Sequence, residues 1–308
     1  MTSSGEPLTV ASTEPVATRG RLASYASLLR VRQWVKNGFV LAGVFFSDQL
    51  FNRSTLLHSI AATAAFCCIS SAVYALNDLY DRTADAAHPN KQHRPLVTGA
   101  VTLSEARVLI AVMLAAGALI LGVVGFVWQV YLFVGIYLVA NVLYSVWLKH
   151  VSIVDVLIIA SGFVIRLEAG IYAVGVKPSS WIVLTTGLLS MFLALAKRRG
   201  DLVVELATAR GSLKGYTISY IDQALGMMGA ATIVVYALFT VSPYAQIRYH
   251  APLLYLTTFP VVLGILRHLQ ITVVEGRYAS PTEMVLRDRP LQLVIVVWVA
   301  MFFVFVYA

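Results

Sequence analysis

The chain has 308 residues, of which 59% are hydrophobic and only 12% charged, with a formal net charge of +8. An ordinary soluble domain is roughly 45–50% apolar and about 25% charged, and the mean hydropathy of +0.79 departs from that in the same direction. This balance excludes a disordered chain, a collagen-like fibre and a disulfide scaffold, argues against a soluble enzyme, and makes the lipid bilayer the expected solvent.

Residues 1–20 are polar, with Ser, Thr, Pro and Glu and no apolar core of the kind a signal peptide needs. Residues 1–25 read as a flexible tail ahead of one transmembrane unit, 26–308. A spanning helix needs roughly 20 mostly apolar residues. A short candidate covers 34–51, with Lys36 near one end and Asp48 near the other. Longer ones follow at 56–76, 106–127, 129–148, 151–174, 180–196, 224–244, 252–270 and 290–307. The expectation is an all-α polytopic integral membrane protein with nine transmembrane helices. Cys67 and Cys68 are adjacent within an apolar run; neighbouring cysteines rarely bridge, and no zinc spacing exists, so they read as apolar fillers.

With nine spans, the N-terminus shares one side with loops 77–105, 149–150, 197–223 and 267–289. Of the 23 Lys and Arg residues, only Arg53, Lys177 and Arg248 fall on the other side, and Arg166 lies within a span. The positive-inside rule places the basic side, and the N-terminus with it, in the cytoplasm. The excess positive charge then needs no nucleic-acid partner, and the same face suits a polyanionic substrate.

The second span ends in Asn77-Asp78-Leu79-Tyr80-Asp81-Arg82-Thr83-Ala84-Asp85, a pattern N-D-x-x-D-x-x-x-D. If the helix continues, the three carboxylates fall within roughly 60° of each other on one face. A bare helix gains nothing from that repulsion, whereas a bound divalent cation removes it, and Mg2+ takes a few carboxylates plus water and phosphate oxygens. A solvated acidic helix end is the plainer alternative. Directly after come Lys91 and Arg94, in His88-Pro89-Asn90-Lys91-Gln92-His93-Arg94-Pro95-Leu96-Val97-Thr98-Gly99. Metal-binding acids beside phosphate-binding bases suit a Mg2+–diphosphate.

N-D-x-x-D-x-x-x-D followed by K-x-x-R-P-L-x-x-G resembles the first signature of the UbiA-type polyprenyl transferase superfamily. That resemblance implies nine membrane helices around a polar cavity open to the cytoplasm, in a bacterial inner membrane. Members that prenylate aromatic rings usually carry a second D-x-x-x-D after span six; this chain reads Lys197-Arg198-Arg199-Gly200-Asp201-Leu202-Val203-Val204-Glu205 there. Arg32-Gln33-Trp34-Val35-Lys36-Asn37, Ser71-Ala72-Val73-Tyr74, Leu148-Lys149-His150, Lys197-Arg198 and Leu286-Arg287-Asp288-Arg289 are similar to the decaprenyl-phosphate phosphoribosyltransferases within that superfamily.

That similarity implies Mg2+-dependent transfer of 5-phosphoribosyl from 5-phosphoribosyl diphosphate (PRPP) to a polyprenyl phosphate, towards lipid-linked arabinose and cell-wall arabinan. It also implies the roles that follow. Asp78, Asp81 and Asp85 hold the metal, with Asn77 ancillary. Lys91 and Arg94 contact phosphates. Asp201 is a further catalytic carboxylate, contacting a second metal or a ribose hydroxyl, and Glu205 is a substrate contact. Lys197 and Arg198 bind phosphate groups or anchor the membrane edge. Lys36 and Lys149 bind the lipid phosphate or merely mark topology. Arg287 and Asp288 pair or close the cavity.

Arg166 lies eleven residues after Asp155, about 16 Å deeper along a helix. An intramembrane Arg is costly and marks a functional site by default. Glu168, two residues on, faces nearly the opposite way and is apolar in the phosphoribosyltransferase pattern. Either residue can line the cavity or form an ion pair between helices. No Ser-His-Asp or Cys-His constellation is present, and the histidines are unremarkable singly. The rivals are an aromatic prenyltransferase of the same superfamily, a CDP-alcohol phosphotransferase, whose signature is missing, and an anionic-lipid transporter. Neither prenyl length nor the presence of a homo-oligomer can be read from the chain.

Overall fold

The computed structural model describes residues 20–87, 91–204, 215–276 and 281–307. Helices α1 (Arg21–Leu28), α2 (Gly38–Phe46) and α3 (Arg53–Tyr80) come first, with a 3-10 turn at Val31–Asn37 between α1 and α2. Then come α4 (Arg82–Ala86), α5 (Pro95–Thr98), α6 (Leu103–Val124), α7 (Trp128–Val146) and α8 (Val154–Ala173). The chain continues through α9 (Ser180–Val204), α10 (Ile218–Val241), α11 (Pro243–Tyr249) and α12 (Thr258–Leu269), the last running into a π-helical turn at Gln270–Val274. It closes with α13 (Pro281–Arg287) and α14 (Arg289–Tyr307). No strand occurs among the described residues.

Seven helices among the described residues are long and apolar enough to cross a bilayer: α3, α6, α7, α9, α10, the α12 stretch from Leu254 to Val274, and α14. The chain is a multi-pass membrane protein. Two of the nine expected spans differ in kind. Residues 34–51 break into a 3-10 turn and the nine-residue α2, only about 14 Å of α-helix. The 20-residue α8 is long enough but carries Asp155, Arg166 and Glu168. It tolerates them because α2, α3, α7 and α9 all pack against it.

Capping chemistry sets the ends. Asn52 accepts from the backbone N–H groups of Ser54 and Thr55 to start α3, and Thr102 and Glu105 form a reciprocal capping box on α6. Glu105 also accepts from Tyr25 and Arg21, tying α1 to α6. Residues 21–25, read from sequence as part of the tail, are thus helical and anchored; residues 1–19 lie outside the described part. Cys67 and Cys68 are free thiols.

The apolar core falls into separate clusters along the bundle. Phe66, Val134, Tyr137 and Ile165 join α3, α7 and α8. Phe192, Ile221, Leu225 and Ile265 join α9, α10 and α12. Tyr236, Phe239, Leu254 and Phe302 join α10 to α14.

Because lipid is as apolar as Leu, helices here gain from backbone proximity and small residues. The α2–α8 crossing shows this most sharply. A Cβ on Gly170 would lie 2.1 Å from the Val40 carbonyl oxygen, and one on Gly43 would lie 2.4 Å from the Gly170 carbonyl carbon. Gly170→Ala should therefore force α2 off α8 and lower stability by about 2 kcal/mol. Gly135→Ala, where nothing lies within 4 Å, should be neutral or slightly stabilising. Thermal unfolding of the two variants in detergent measures the contrast.

Candidate active site

The acidic motif forms at the end of α3. The helix does not run straight on: Asp81 is a turn residue between α3 and α4, although Asn77 and Asp81 carbonyls still accept the amides of Asp81 and Asp85. The basic loop is folded back over it by its own chemistry. Arg94 precedes Pro95, which occupies the first turn of α5. Leu96 is buried with Leu28, Ala75 and Ala106. Gly99, at φ +76°, ends the turn in a conformation that suits glycine. Arg82 donates to the Leu96 carbonyl at 3.1 Å, fixing the loop to the acidic end.

Asp78 and Asp85 are buried and converge on one guanidinium. Arg94 Nη1 donates to Asp78 Oδ1 at 2.9 Å and also to Asp85 Oδ2. Lys91 Nζ lies 3.4 Å from Asp85 Oδ1. Asp81 is drawn elsewhere: Lys149 Nζ donates to its Oδ1 at 2.5 Å and Asn77 to its Oδ2 at 3.2 Å. Among the described residues, no three Asp, Glu, His or Cys side chains converge on one point. The one-face triad expected from spacing is therefore a convergent pair plus a third carboxylate held on Lys149. The physical reason is that Lys149 and Asn77 hold the Asp81 carboxylate while Arg94 draws Asp78 and Asp85 together.

Beside this acidic mouth lies a polar cavity of about 390 Å3. Arg30, Lys36, Arg166 and Lys197 supply its positive charge, and Gln33, Tyr74, Asn77 and Tyr144 supply neutral polar groups. Arg166 is 4% exposed. Its Nε donates to Asn37 Oδ1 at 2.8 Å, its Nη1 to the Gly162 carbonyl at 2.7 Å and its Nη2 to Tyr137 Oη at 2.8 Å. Among the described residues it meets no carboxylate, so there it lines the cavity rather than forming a buried ion pair. Glu168 is half-buried on α8 and lines neither this cavity nor the apolar chamber described next.

The polar cavity adjoins an apolar chamber of about 610 Å3, and Val35, Phe39, Leu193 and Val285 line both. Helix α13 covers the junction through Val285. Asp288 beyond it pairs with Arg267 at 2.6 Å and accepts the Leu291 amide at 2.9 Å, so it closes the structure rather than pairing with Arg287.

Lys197 and Arg198 diverge, as neighbours on a helix must. Lys197 faces the polar cavity. Arg198 turns inward: its Nε lies 2.6 Å from Asp155 Oδ2, its Nη1 donates to Asp201 at 2.9 Å and its Nη2 to Tyr144 Oη at 3.1 Å. Tyr216 donates to Asp155 at 2.7 Å and accepts the Ile153 amide at 2.5 Å. That clamp holds Ile153 at φ +69°, a strained state for a β-branched residue. Burial and the bond to Asp155 push the Tyr216 hydroxyl up from its usual pKa. Asp201 is thus tied to Arg198, and Glu205 lies outside the described residues.

Sequence reasoning missed Arg30, Asn37, Tyr137, Tyr144, Asp155 and Tyr216 as members of this network. Arg30 figured only in the charge asymmetry. Here it holds a left-handed backbone at φ +50°, donates to Asp78 at 2.5 Å and lies over the Tyr74 ring.

The model of the UbiA prenyltransferase family matches residues 38–283. The chain belongs to that family. It is therefore a membrane-embedded transferase. Among curated relatives, the decaprenyl-phosphate phosphoribosyltransferase of Corynebacterium glutamicum is 31% identical over 278 residues, covering 88% of this chain and 83% of that protein. That of Mycobacterium tuberculosis is 30% identical over 289 residues, covering 91% and 93%. Among solved structures, a UbiA homologue from Archaeoglobus fulgidus bound to GPP and Mg2+ superposes with a TM-score of 0.70 at 19% identity, covering 92% of this chain and all of that one.

Asp155 is fully buried, and removing one partner of a buried pair costs far more than removing a surface one. Asp155→Asn should lower stability by about 3 kcal/mol. Arg21→Ala, which breaks a pair whose Arg side chain is 76% exposed, should leave thermal unfolding in detergent unchanged.

Proposed function

We propose that this UbiA family member transfers 5-phosphoribosyl from PRPP to a polyprenyl phosphate. The observation that carries the proposal is the contiguity of three chemistries: an acid–base mouth at Asp78, Asp85 and Arg94, a cation-lined polar cavity, and an apolar chamber that shares its wall. A phosphorylated sugar diphosphate suits the first two, and a lipid with a phosphate head suits the last two. The relatives named as decaprenyl-phosphate phosphoribosyltransferases support the same pair of substrates.

In the reaction, an oxygen of the lipid phosphate attacks C1 of PRPP, the C1–O bond to diphosphate breaks, and diphosphate leaves with its electron pair. The sugar passes through an oxocarbenium-like state, which needs charge stabilisation rather than a protein nucleophile. Lys91 and Arg94 are placed to take diphosphate oxygens. Lys149 holds Asp81, and Arg198 holds Asp201 and fixes Tyr144 in the cavity wall.

The residues suit a divalent cation. Mg2+ is commonly held by one or two carboxylates together with substrate phosphates, and Asp78 and Asp85 already converge on a single positive centre. Asp78 and Asp85 would hold such an ion, which would supply positive charge to the leaving diphosphate. We place the basic end, with the N-terminus, on the cytoplasmic side of a bacterial inner membrane, because Arg30, Lys36, Lys91, Arg94, Lys149 and Lys197 all gather at that site. The product is of the kind that leads to lipid-linked arabinose and cell-wall arabinan.

Membranes containing the chain should move label from PRPP into the organic phase when given polyprenyl phosphate and Mg2+, and not without Mg2+. Asp85→Asn should cut that transfer by about 100-fold or more in the folded protein, and should raise the Mg2+ concentration needed for half-maximal rate. Absence of labelling across several prenyl lengths, with label appearing instead from a prenyl diphosphate onto an aromatic acceptor, would replace this proposal with aromatic prenylation.

A further inference from the structure

The cations around the cavity divide into two groups. Arg30, Lys91, Arg94 and Lys149 are all bound to aspartates of the acidic mouth. Lys36, Arg166 and Lys197 are not: among the described residues Arg166 meets only neutral partners, and neither lysine makes a hydrogen bond or ion pair. We propose that Lys36, Arg166 and Lys197 bind the phosphate of the acceptor lipid, deeper than the aspartates and separate from the diphosphate of the donor. This rests on the chain being a transferase that takes a prenyl phosphate.

Three cations lining one small cavity repel each other: Arg166 is buried, Lys36 is half-buried, and Lys197 is open to the cavity with Asp201 one turn away acting on it, so an anion in the cavity relieves the remaining repulsion. The three lie within electrostatic reach: Arg166 acts on Lys36, and Lys36 on Lys197. Their placement is built rather than incidental. Asn37, the residue after Lys36, receives Arg166 Nε and donates to Ser70 Oγ at 3.2 Å. One short turn, braced on Ser70 of α3, thereby fixes Lys36 relative to Arg166 of α8. Tyr137 holds the guanidinium from below, with its ring centroid 4.6 Å from Arg166 Cζ.

The apolar chamber decides which anion. A free phosphate or a sugar phosphate gains nothing from it. A prenyl phosphate places its head on the three cations and its chain past Phe39 and Leu193, which line both spaces. Arg30 also lines the polar cavity and holds Asp78 at 2.5 Å, so the two anion sites share a wall. That juxtaposition brings an attacking phosphate oxygen towards a sugar whose diphosphate lies at the mouth.

The test is binding, without donor or Mg2+. Purified full-length protein in detergent is titrated with farnesyl phosphate, farnesol, inorganic phosphate and ribose 5-phosphate, with the rise in unfolding temperature as the readout. Farnesyl phosphate should protect the wild type, and the other three should protect it at least about tenfold more weakly. Arg166→Gln, Lys36→Gln and Lys197→Gln should each weaken farnesyl phosphate about tenfold or more, whereas Asp85→Asn should keep it. The two lysine variants decide the matter if Arg166→Gln does not fold. Loss in Asp85→Asn with retention in the lysine variants would put the lipid phosphate at the aspartates and overturn the proposal. Protection by ribose 5-phosphate that Lys36→Gln and Lys197→Gln abolish would give the cluster to the donor and overturn it as well. Failure of phosphoribosyl transfer, with the binding pattern intact, would sink the donor assignment and leave this site standing.

Discussion

The organisation of this protein depends on how charge is balanced at one end of an apolar bundle. A carboxylate or guanidinium removed from water costs several kcal/mol unless it finds a partner, and the bundle offers few neutral polar groups. The aspartates at the end of α3 therefore attract Arg30, Lys91 with Arg94, and Lys149 from three separate segments. Those ion pairs, rather than apolar contact alone, tie the segment before α2, the loop after α4 and the end of α7 to one place. The lattice of charge is both the seam of the fold and the mouth of the site.

The same accounting explains α8. Its three ionisable residues keep it out of the class of plain spanning helices, yet it is the helix most surrounded by others. Each charge meets a different solution. Asp155 takes a salt bridge to Arg198 and a hydroxyl from Tyr216. Arg166 takes carbonyl, amide and phenol oxygens. Ion pairing suits Asp155, which braces α9 from behind, and neutral partners suit Arg166, which keeps its positive charge available to the cavity. A carboxylate opposite Arg166 would have stabilised the empty pocket at the expense of any anionic ligand.

Local signals in the sequence carried the parts of this that are short in range. The spacing of Asp78, Asp81 and Asp85, the run Arg94-Pro95-Leu96 with its closing Gly99, and the long apolar runs are all decided within a few residues. Arg166 could be flagged as costly, but its contact with Asn37 spans 129 positions, and that with Tyr137 depends on how α7 meets α8. Lys197 and Arg198 were grouped by adjacency, whereas helical geometry turns them about 100° apart on α9, one to the cavity and one to Asp155. The divergence of Asp81 from its neighbours turned on Lys149, 68 positions away, and no periodicity announces such a contact.

The short α2 shows why a membrane enzyme of this kind can afford an incomplete span. Nine residues cannot cross a bilayer, and a lone helix of that length gains little from lipid. Its stability comes from contact with α8 at Gly43 and Gly170, where backbone meets backbone without intervening side chains. That closeness sets the height of the preceding turn, and so of Lys36 and Asn37 against Arg166. A side chain at either glycine would move the turn outward by an appreciable fraction of a hydrogen-bond length. The polar cavity would then lose its register before the bundle lost its fold. Small residues far from the aspartates thus govern the geometry of the cation cluster, and packing and chemistry are set by the same crossing.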